Sequence, residues 1–208
     1  MYTVKELFYT LQGEGAQAGR AAVFCRFTGC NLWSGRESDR ASAQCNFCDT
    51  DFVGVGPDGG KFATAQALAD RIAQTWGGVG GVPYVVFTGG EPLLQLDEAL
   101  IDAVHALGFE IGVESNGTIP APAGIDWLCI SPKGANPLVQ VSGQELKLVY
   151  PQMLALPEQF AHLDFQHFYV QPLDDVQRVD HTQACIEYCM AHPQWQLSLQ
   201  THKLTGIR

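Results

Sequence analysis

CNLWSGRESDRASAQCNFCDT, residues 30–50, sets out Cys30, fourteen residues, Cys45, two residues and Cys48, and closes on Asp49 and Thr50. Met1–Phe8 carries Lys5 and Glu6 in a short alternating run and lacks the long apolar core of a secretion signal. The expected compartment is therefore the cytoplasm, where thiols stay reduced and clustered cysteines point to a metal or cluster and not a disulfide. The odd count is informative. A structural zinc site closes with four ligands. Three thiolates instead leave one iron of a cubane cluster open, unless Cys25 supplies a fourth thiol to a zinc site in a binding protein. The open iron is the leading expectation, because it offers a position where a small molecule can be bound and transformed.

Outward from this stretch, the composition is that of a globular domain. The 208 residues are 46% hydrophobic and 16% charged, enough for one domain, residues 1–208, with a substantial core. No apolar run approaches the roughly 20 residues that span a bilayer. A net charge of -10 argues against a nucleic-acid backbone as direct partner, since that affinity rests on Lys and Arg neutralising phosphates. A small molecule is the better-matched ligand. Cys129, Cys185 and Cys189 read as small buried hydrophobes.

The flanks alternate between strand and helix patterns. Val4–Phe8 reads as a strand, broken by Leu11-Gln12-Gly13-Glu14-Gly15, which is either a bare turn or a loop laying polar groups against a planar ligand. Ala21–Phe27 follows, its period of two putting Val23, Cys25 and Phe27 on one face and Phe24 and Arg26 on the other. An arginine in such a run requires an anionic partner, either a protein carboxylate or one on a substrate. Residues 28–60 lose all pattern and form a loop too long for a simple connection, with a short helix predicted over Ser38–Gln44. Thr64–Trp76 reads as an amphipathic helix capped by Thr64. Tyr84–Thr88 is a buried parallel-type strand, and Leu96–Leu107 is a helix closed by Gly108. Further strands are expected at Phe109–Glu114, Trp127–Ser131, Glu145–Val149, His167–Gln171 and Gln196–Gln200, with a helix at about Thr182–Ala191.

Eight strands with only three firm helices define an α/β chain, an incomplete (β/α) barrel with few helices. A complete barrel needs about 250 residues. The polar turns after the strands, at Thr88–Glu91, Glu114–Asn116, Ser131–Lys133, Gln171–Asp174 and Thr201–Lys203, converge on one end. That is where such folds place their chemistry.

These pieces resemble the radical S-adenosylmethionine enzymes, and among them the 7-carboxy-7-deazaguanine synthase family of queuosine biosynthesis. The resemblance covers nearly the whole chain, through FYTLQGEG, VFCRFTGCNLW, CNFCDTDF, TGGEP, VESNGT, SPK, ELKLV, VQPLD and QTHK. Fourteen residues, and not the superfamily's common three, separate Cys30 from Cys45, an insertion that a solvent-side loop tolerates.

The resemblance implies that Cys30, Cys45 and Cys48 bind a [4Fe-4S] cluster whose fourth iron is chelated by S-adenosylmethionine. It implies that Phe47, Asp49, Gly90, Glu114, Ser131, Pro132, Lys133, Gln171, Pro172, Leu173 and Asp174 hold that cofactor, Gly90 by close approach of its backbone. A structural ion pair between Glu114 and Lys133 is the alternative for those two. Thr50 is implied as a magnesium ligand. The implied substrate is 6-carboxy-5,6,7,8-tetrahydropterin, met by Leu11, Gln12, Gly13 and Glu14 at its aminopyrimidinone edge, by Arg26 at its carboxylate and by Thr88 at the ring. His202 is a positioning or packing residue, and Arg208 reaches back to close the pocket. Ring contraction to 7-carboxy-7-deazaguanine with loss of ammonia follows, without a dedicated acid–base pair. An electron donor such as flavodoxin and a homodimer are further implications. A glycyl-radical activase acting on a partner protein is the nearest alternative, disfavoured by the LQGEG, Arg26 and Thr50 set.

Overall fold

The computed structural model describes residues 1–208. One nine-stranded sheet runs through it, with β1 (Tyr2–Leu11) antiparallel to β2 (Ala21–Phe27) and β3 (Gly60–Phe62) antiparallel to β1. From β2 onward every pairing is parallel, through β4 (Tyr84–Gly89), β5 (Glu110–Ser115), β6 (Trp127–Ile130), β7 (Ser142–Tyr150), β8 (Asp164–Pro172) and β9 (Trp195–Leu197). The order is β3-β1-β2-β4-β5-β6-β7-β8-β9, so the sheet is open. An incomplete barrel is what the strand count and chain length predict.

Strand parity divides the sheet into two chemistries. Val23, Cys25 and Phe27 on β2, Val85 and Phe87 on β4, Ile111 and Val113 on β5 and Leu146 and Leu148 on β7 belong to one buried core. Each such large side chain stabilises the fold by about 1.5–3 kcal/mol. Helices α1 (Ala65–Thr75), α2 (Glu98–His105) and α3 (Arg178–Ala191) contribute Leu68, Ile72, Leu100, Val104 and Cys185 to that core. The Thr64 hydroxyl accepts the Ala67 N–H at 3.2 Å, and the Asp97 carboxylate accepts that of Leu100 at 3.0 Å, so both helices start on side-chain caps. The opposite, concave face carries Glu6, Phe24, Arg26, Thr88, Glu114 and Lys147.

Several expectations are corrected. The sheet has nine strands and not eight, because Gly60–Phe62 pairs with Tyr2–Val4. β1 continues through Leu11, since Leu11 pairs with Ala21. The strand expected at Gln196–Gln200 is limited to Trp195–Leu197, and Thr201–Thr205 forms a short helix, α4. α3 begins at Arg178, four residues earlier than expected. The turn predicted at Ser38–Gln44 is a 3-10 helix over Glu37–Ser42. No helix is long and apolar enough to cross a membrane.

Candidate active site

A cavity of about 430 Å³ opens on the concave face at the carboxyl ends of the parallel strands. Thr88, Gly89 and Gly90 after β4, Glu114–Asn116 after β5, Ser131 and Lys133 after β6 and Gln171–Asp174 after β8 line it. Cys45, Phe47, Cys48, Asp49 and Thr50 form one wall. Leu11, Gln12, Gly13, Glu14, Arg26, His202 and Arg208 are also among its lining residues. Pro132 lies outside it, its carbonyl accepting from Gln152 Nε2 at 3.3 Å.

Cys30 sits behind Cys45 and Cys48, against the Gly89–Gly90 turn. A Cβ on Gly90 would lie 2.1 Å from the Gly29 carbonyl oxygen and 2.8 Å from Cys30 Cβ, and the Glu91 N–H donates to that same oxygen at 2.9 Å. Glycine is therefore required here by the Gly29–Cys30 segment itself, a reason separate from any cofactor. Glu91, fully buried, accepts from the Leu93 N–H, the Ser115 hydroxyl and the Asn116 N–H, locking this turn to the end of β5. Burial pushes its carboxyl pKa up.

The fourteen-residue segment between Cys30 and Cys45 supplies its own clasp. Arg40, on the 3-10 helix, donates to the carbonyls of Asn46 and Cys48 at 2.9 and 3.0 Å while its guanidinium stacks over Trp33 at 4.2 Å. Both ends of the CNFC turn are thereby held. The Leu32 N–H donates to Cys30 Sγ at 3.4 Å. The Cys48 thiol is lowered to about 6, first by a hydrogen bond from Cys45 and, against burial, by the Thr50 N–H and the charge of Lys133. Cys25 does not join them. It is fully buried in the core on the other face of β2, its thiol pushed up by burial, which removes the four-cysteine zinc arrangement.

The LQGEG segment crosses the concave face as a floor. The Gly15 N–H donates to Ser198 Oγ at 2.9 Å and the Ala16 N–H to Glu145 Oε2 at 3.0 Å. Below it remains a void of only about 10 Å³, with Tyr84, Trp127 and Cys129 among its walls. Cys129 thus faces the interior beside Glu145, not the apolar core. α4 seals the edge: the Thr201 N–H and hydroxyl both donate to the Gly13 carbonyl, and a Cβ on Gly13 would lie 2.5 Å from His202 Nδ1.

Charge in the cavity is balanced and almost wholly paired. Six of the chain's twelve Lys and Arg line it: Lys5, Arg26, Lys133, Lys147, Lys203 and Arg208. Arg26 Nε donates to Glu6 at 2.8 Å, so its anionic partner is a protein carboxylate, leaving the rest of its fork to the cavity. Arg208 meets the other oxygen of Glu6 at 2.9 Å and lies over the Phe8 ring. Lys203 bridges Asp49 and Asp174 at 2.6 and 2.5 Å, strapping the segment that carries Cys45 and Cys48 to the turn after β8. Lys147, its side chain 6% exposed, contacts Glu14 at 2.6 Å and Glu114 at 3.2 Å. Lys133 alone of the six forms no salt bridge; its ammonium rests on the Ser131 carbonyl and hydroxyl. A Glu114–Lys133 pair is therefore not formed.

Glu6, Lys147 and Gln200 are absent from the sequence-derived site, and Lys203 enters it only as part of the Thr201–Lys203 turn, with no role. The parity rule that exposed Arg26 also singles out Lys147, a cation in the interior run Glu145–Val149. Its partners lie 133 and 33 residues away.

Comparison with known proteins agrees with this geometry. The profile of the radical SAM superfamily matches residues 38–147, just over half of the chain, and begins after Cys30. The chain belongs to the radical SAM superfamily. It is 67% identical over 207 residues to the 7-carboxy-7-deazaguanine synthase of Bordetella pertussis and 64% identical over 207 residues to that of Caulobacter vibrioides, covering 99% of each chain in both cases. The crystal structure of QueE from Escherichia coli superposes with a TM-score of 0.71 at 28% identity, covering 96% of this chain and 93% of that one. Within the superfamily, the chain belongs to the 7-carboxy-7-deazaguanine synthase family.

Proposed function

We propose that residues 1–208 act as one radical SAM domain that contracts 6-carboxy-5,6,7,8-tetrahydropterin to 7-carboxy-7-deazaguanine with release of ammonia, a carbon–nitrogen lyase step of queuosine biosynthesis. The observation that carries this reading is the meeting, in one cavity, of the CNFC wall, the polar strand ends and the LQGEG floor with Arg26. Substrate equals product plus ammonia, so no net oxidant or reductant is consumed by the rearrangement.

Cys30, Cys45 and Cys48 hold the [4Fe-4S] cluster. Once bound there, the cluster and S-adenosylmethionine would supply reductive radical chemistry, and the chain's own residues would hold the substrate carbon bearing the carboxylate within its reach. The donor set fits: three thiols, two of them on the cavity wall, with a glycine turn pressed against the third. Lys133, free of any carboxylate, meets that of the cofactor. Gly90 offers main chain to the methionyl end, Glu114 accepts from ribose hydroxyls, and Phe47, Asp49, Ser131 and the Gln171–Asp174 turn surround the adenine.

The main chain of Leu11–Gly13 and the side chains of Gln12 and Glu14 read the aminopyrimidinone edge. Glu14 does so as an anion: burial draws its pKa up, but the Lys147 charge and hydrogen bonds from Lys147 and Gln200 hold it at about 2. Arg26 pairs with the substrate carboxylate, Thr88 touches the ring, and His202 and Arg208 pack the edge. Thr50, on the cavity wall, would offer its hydroxyl to a magnesium ion, which takes few protein ligands. Positioning of the substrate among these groups supplies the protein's share of the catalysis. The chain works in the cytoplasm, as a homodimer, with an electron donor such as flavodoxin.

Anaerobic turnover of the carboxytetrahydropterin, with product and ammonia measured by mass and amine assay, tests the reading. Equimolar deazaguanine and ammonia, lost in Cys48→Ala and made magnesium-insensitive in Thr50→Val, are expected. Cofactor cleavage with no deazaguanine would overturn the substrate assignment.

A further inference from the structure

Lys147 enters the reading above only as the charge that keeps Glu14 ionised, yet it lines the cavity between two of its carboxylates. β7 alternates so that Leu146 and Leu148 enter the apolar core while Glu145, Lys147 and Val149 turn inward. One Lys147 N–H reaches Glu14 Oε2 at 2.6 Å and another reaches Glu114 Oε1 at 3.2 Å. Glu114 Oε1 also accepts from Gln12 Nε2 at 3.2 Å, and its Oε2 accepts from Thr88 Oγ1 at 3.3 Å. The free oxygen of Glu14 accepts from Gln200 Nε2 at 3.0 Å. Gln12 closes the circuit, because its Oε1 accepts the Glu14 N–H at 3.1 Å. A single ammonium thus ties Glu14 on the floor to Glu114 on the strand end, and Gln12 bonds to both residues directly.

We infer that Lys147 is a positioning residue that couples the binding of substrate to that of S-adenosylmethionine, through salt bridges to Glu14 on one side and Glu114 on the other. This rests on the reading of Glu14 as a substrate contact and Glu114 as a cofactor contact. Two physical arguments give the coupling a positive sign. The first is order: a cofactor donating hydrogen bonds to Glu114 immobilises it, and with it Lys147, Gln12 and Glu14, so the second ligand no longer bears that ordering cost. The second is charge. Two carboxylates and one ammonium leave a surplus of one negative charge facing an anionic substrate, and a cationic sulfonium nearby offsets it.

Linkage makes the effect reciprocal, and two sites coupled in this way typically shift each other's affinity by roughly 5- to 150-fold. Charge state supports the arrangement. Burial pulls the Lys147 ammonium down, but Glu114 and Glu14 raise its pKa well above that of an ordinary lysine, so it stays charged at any physiological pH.

The experiment uses the cluster-reconstituted chain under anaerobic conditions without reductant, so that nothing turns over. The carboxytetrahydropterin is titrated calorimetrically with and without saturating S-adenosylmethionine, and the reverse. The wild type is expected to bind each ligand on the order of ten times more tightly in the presence of the other. Lys147→Met is expected to bind both ligands with the factor reduced to about 1, and Lys147→Arg, which keeps the charge, to restore part of it. Glu114→Gln keeps the shape and loses the charge, so it reports the same loss of coupling if Lys147→Met does not fold. Absence of coupling in the wild type, or a wild-type factor in the folded Lys147→Met or in Glu114→Gln, would overturn the inference. Failure of the underlying site reading looks different: Glu14→Gln would leave substrate affinity unchanged, or Glu114→Gln would leave cofactor affinity unchanged.

Discussion

Replacing Gly90 by alanine separates two reasons for a glycine in the turn after β4. If glycine serves only to admit a cofactor, alanine harms the loaded enzyme and leaves the empty chain intact. The contacts argue otherwise. The added methyl would lie 2.1 Å from the Gly29 carbonyl oxygen, against a practical limit of 3.0 Å, so the cluster loop must retreat by about 0.9 Å. Gly90 does not occupy the positive-φ region, so the substitution probes this contact and not backbone strain. Overpacking of this kind costs about 1–3 kcal/mol. Loss of the Glu91 N–H bond to the Gly29 oxygen adds about 1 kcal/mol. A total of about 2–4 kcal/mol corresponds to a fall in Tm of roughly 5–15 °C for a chain of this size. The assay is thermal unfolding of the cluster-free protein, with and without the substitution, followed by cluster reconstitution. A Tm unchanged to within about 1 °C would refute the packing argument and return Gly90 to a purely cofactor role.

Three further perturbations follow from named contacts. Glu14→Gln should alter the acid limb of the stability curve. The folded pKa of about 2 lies below the ordinary 4.5, so Glu14 contributes stability in full above about pH 4.5 and loses it as pH falls toward 2. Acid titration of unfolding should show a difference on the order of 3 kcal/mol at neutral pH that shrinks below pH 4.5. Arg40→Ala removes two hydrogen bonds to the CNFC carbonyls and the stack on Trp33, and cluster-free protein should be cut by chymotrypsin near Phe47 several-fold faster, with Arg40→Lys in between. Arg26→Lys removes the fork that meets both Glu6 and the substrate carboxylate. A charge-assisted hydrogen bond contributes about 1.5–3 kcal/mol, so substrate affinity should fall about 10- to 100-fold, while S-adenosylmethionine affinity measured by calorimetry stays level.

What the amino-acid sequence discloses and what it withholds have a common physical origin. Periodicity is local, so β2, β4 and β5 and the helices capped by Thr64 and closed by Gly108 are legible from their own residues. The polar turns at the strand ends are legible for the same reason, and they do line one cavity. β3 has only three residues and exists because Tyr2–Val4 offers it an edge. α4 has five residues, too few to show a period, and is anchored by the Gly13 carbonyl. The charged circuit hides in the same way. Lys147, Lys203 and Glu6 are single residues whose meaning lies in partners far along the chain, and only strand parity, as applied to Arg26, points inward to Lys147. The insertion between Cys30 and Cys45 reads as formless polar sequence, yet Arg40 within it binds the very turn that carries the other two cysteines.

The most direct test of the central claim is metal and product analysis on one anaerobic sample. Iron, sulfide and zinc are measured after reconstitution, then reductant, S-adenosylmethionine, magnesium and the carboxytetrahydropterin are added. About four irons and four sulfides per chain, lost in Cys30→Ala, Cys45→Ala and Cys48→Ala but kept in Cys25→Ala, with 7-carboxy-7-deazaguanine formed, is the result predicted. Zinc in place of iron, or an intact cluster that yields no deazaguanine, would contradict it.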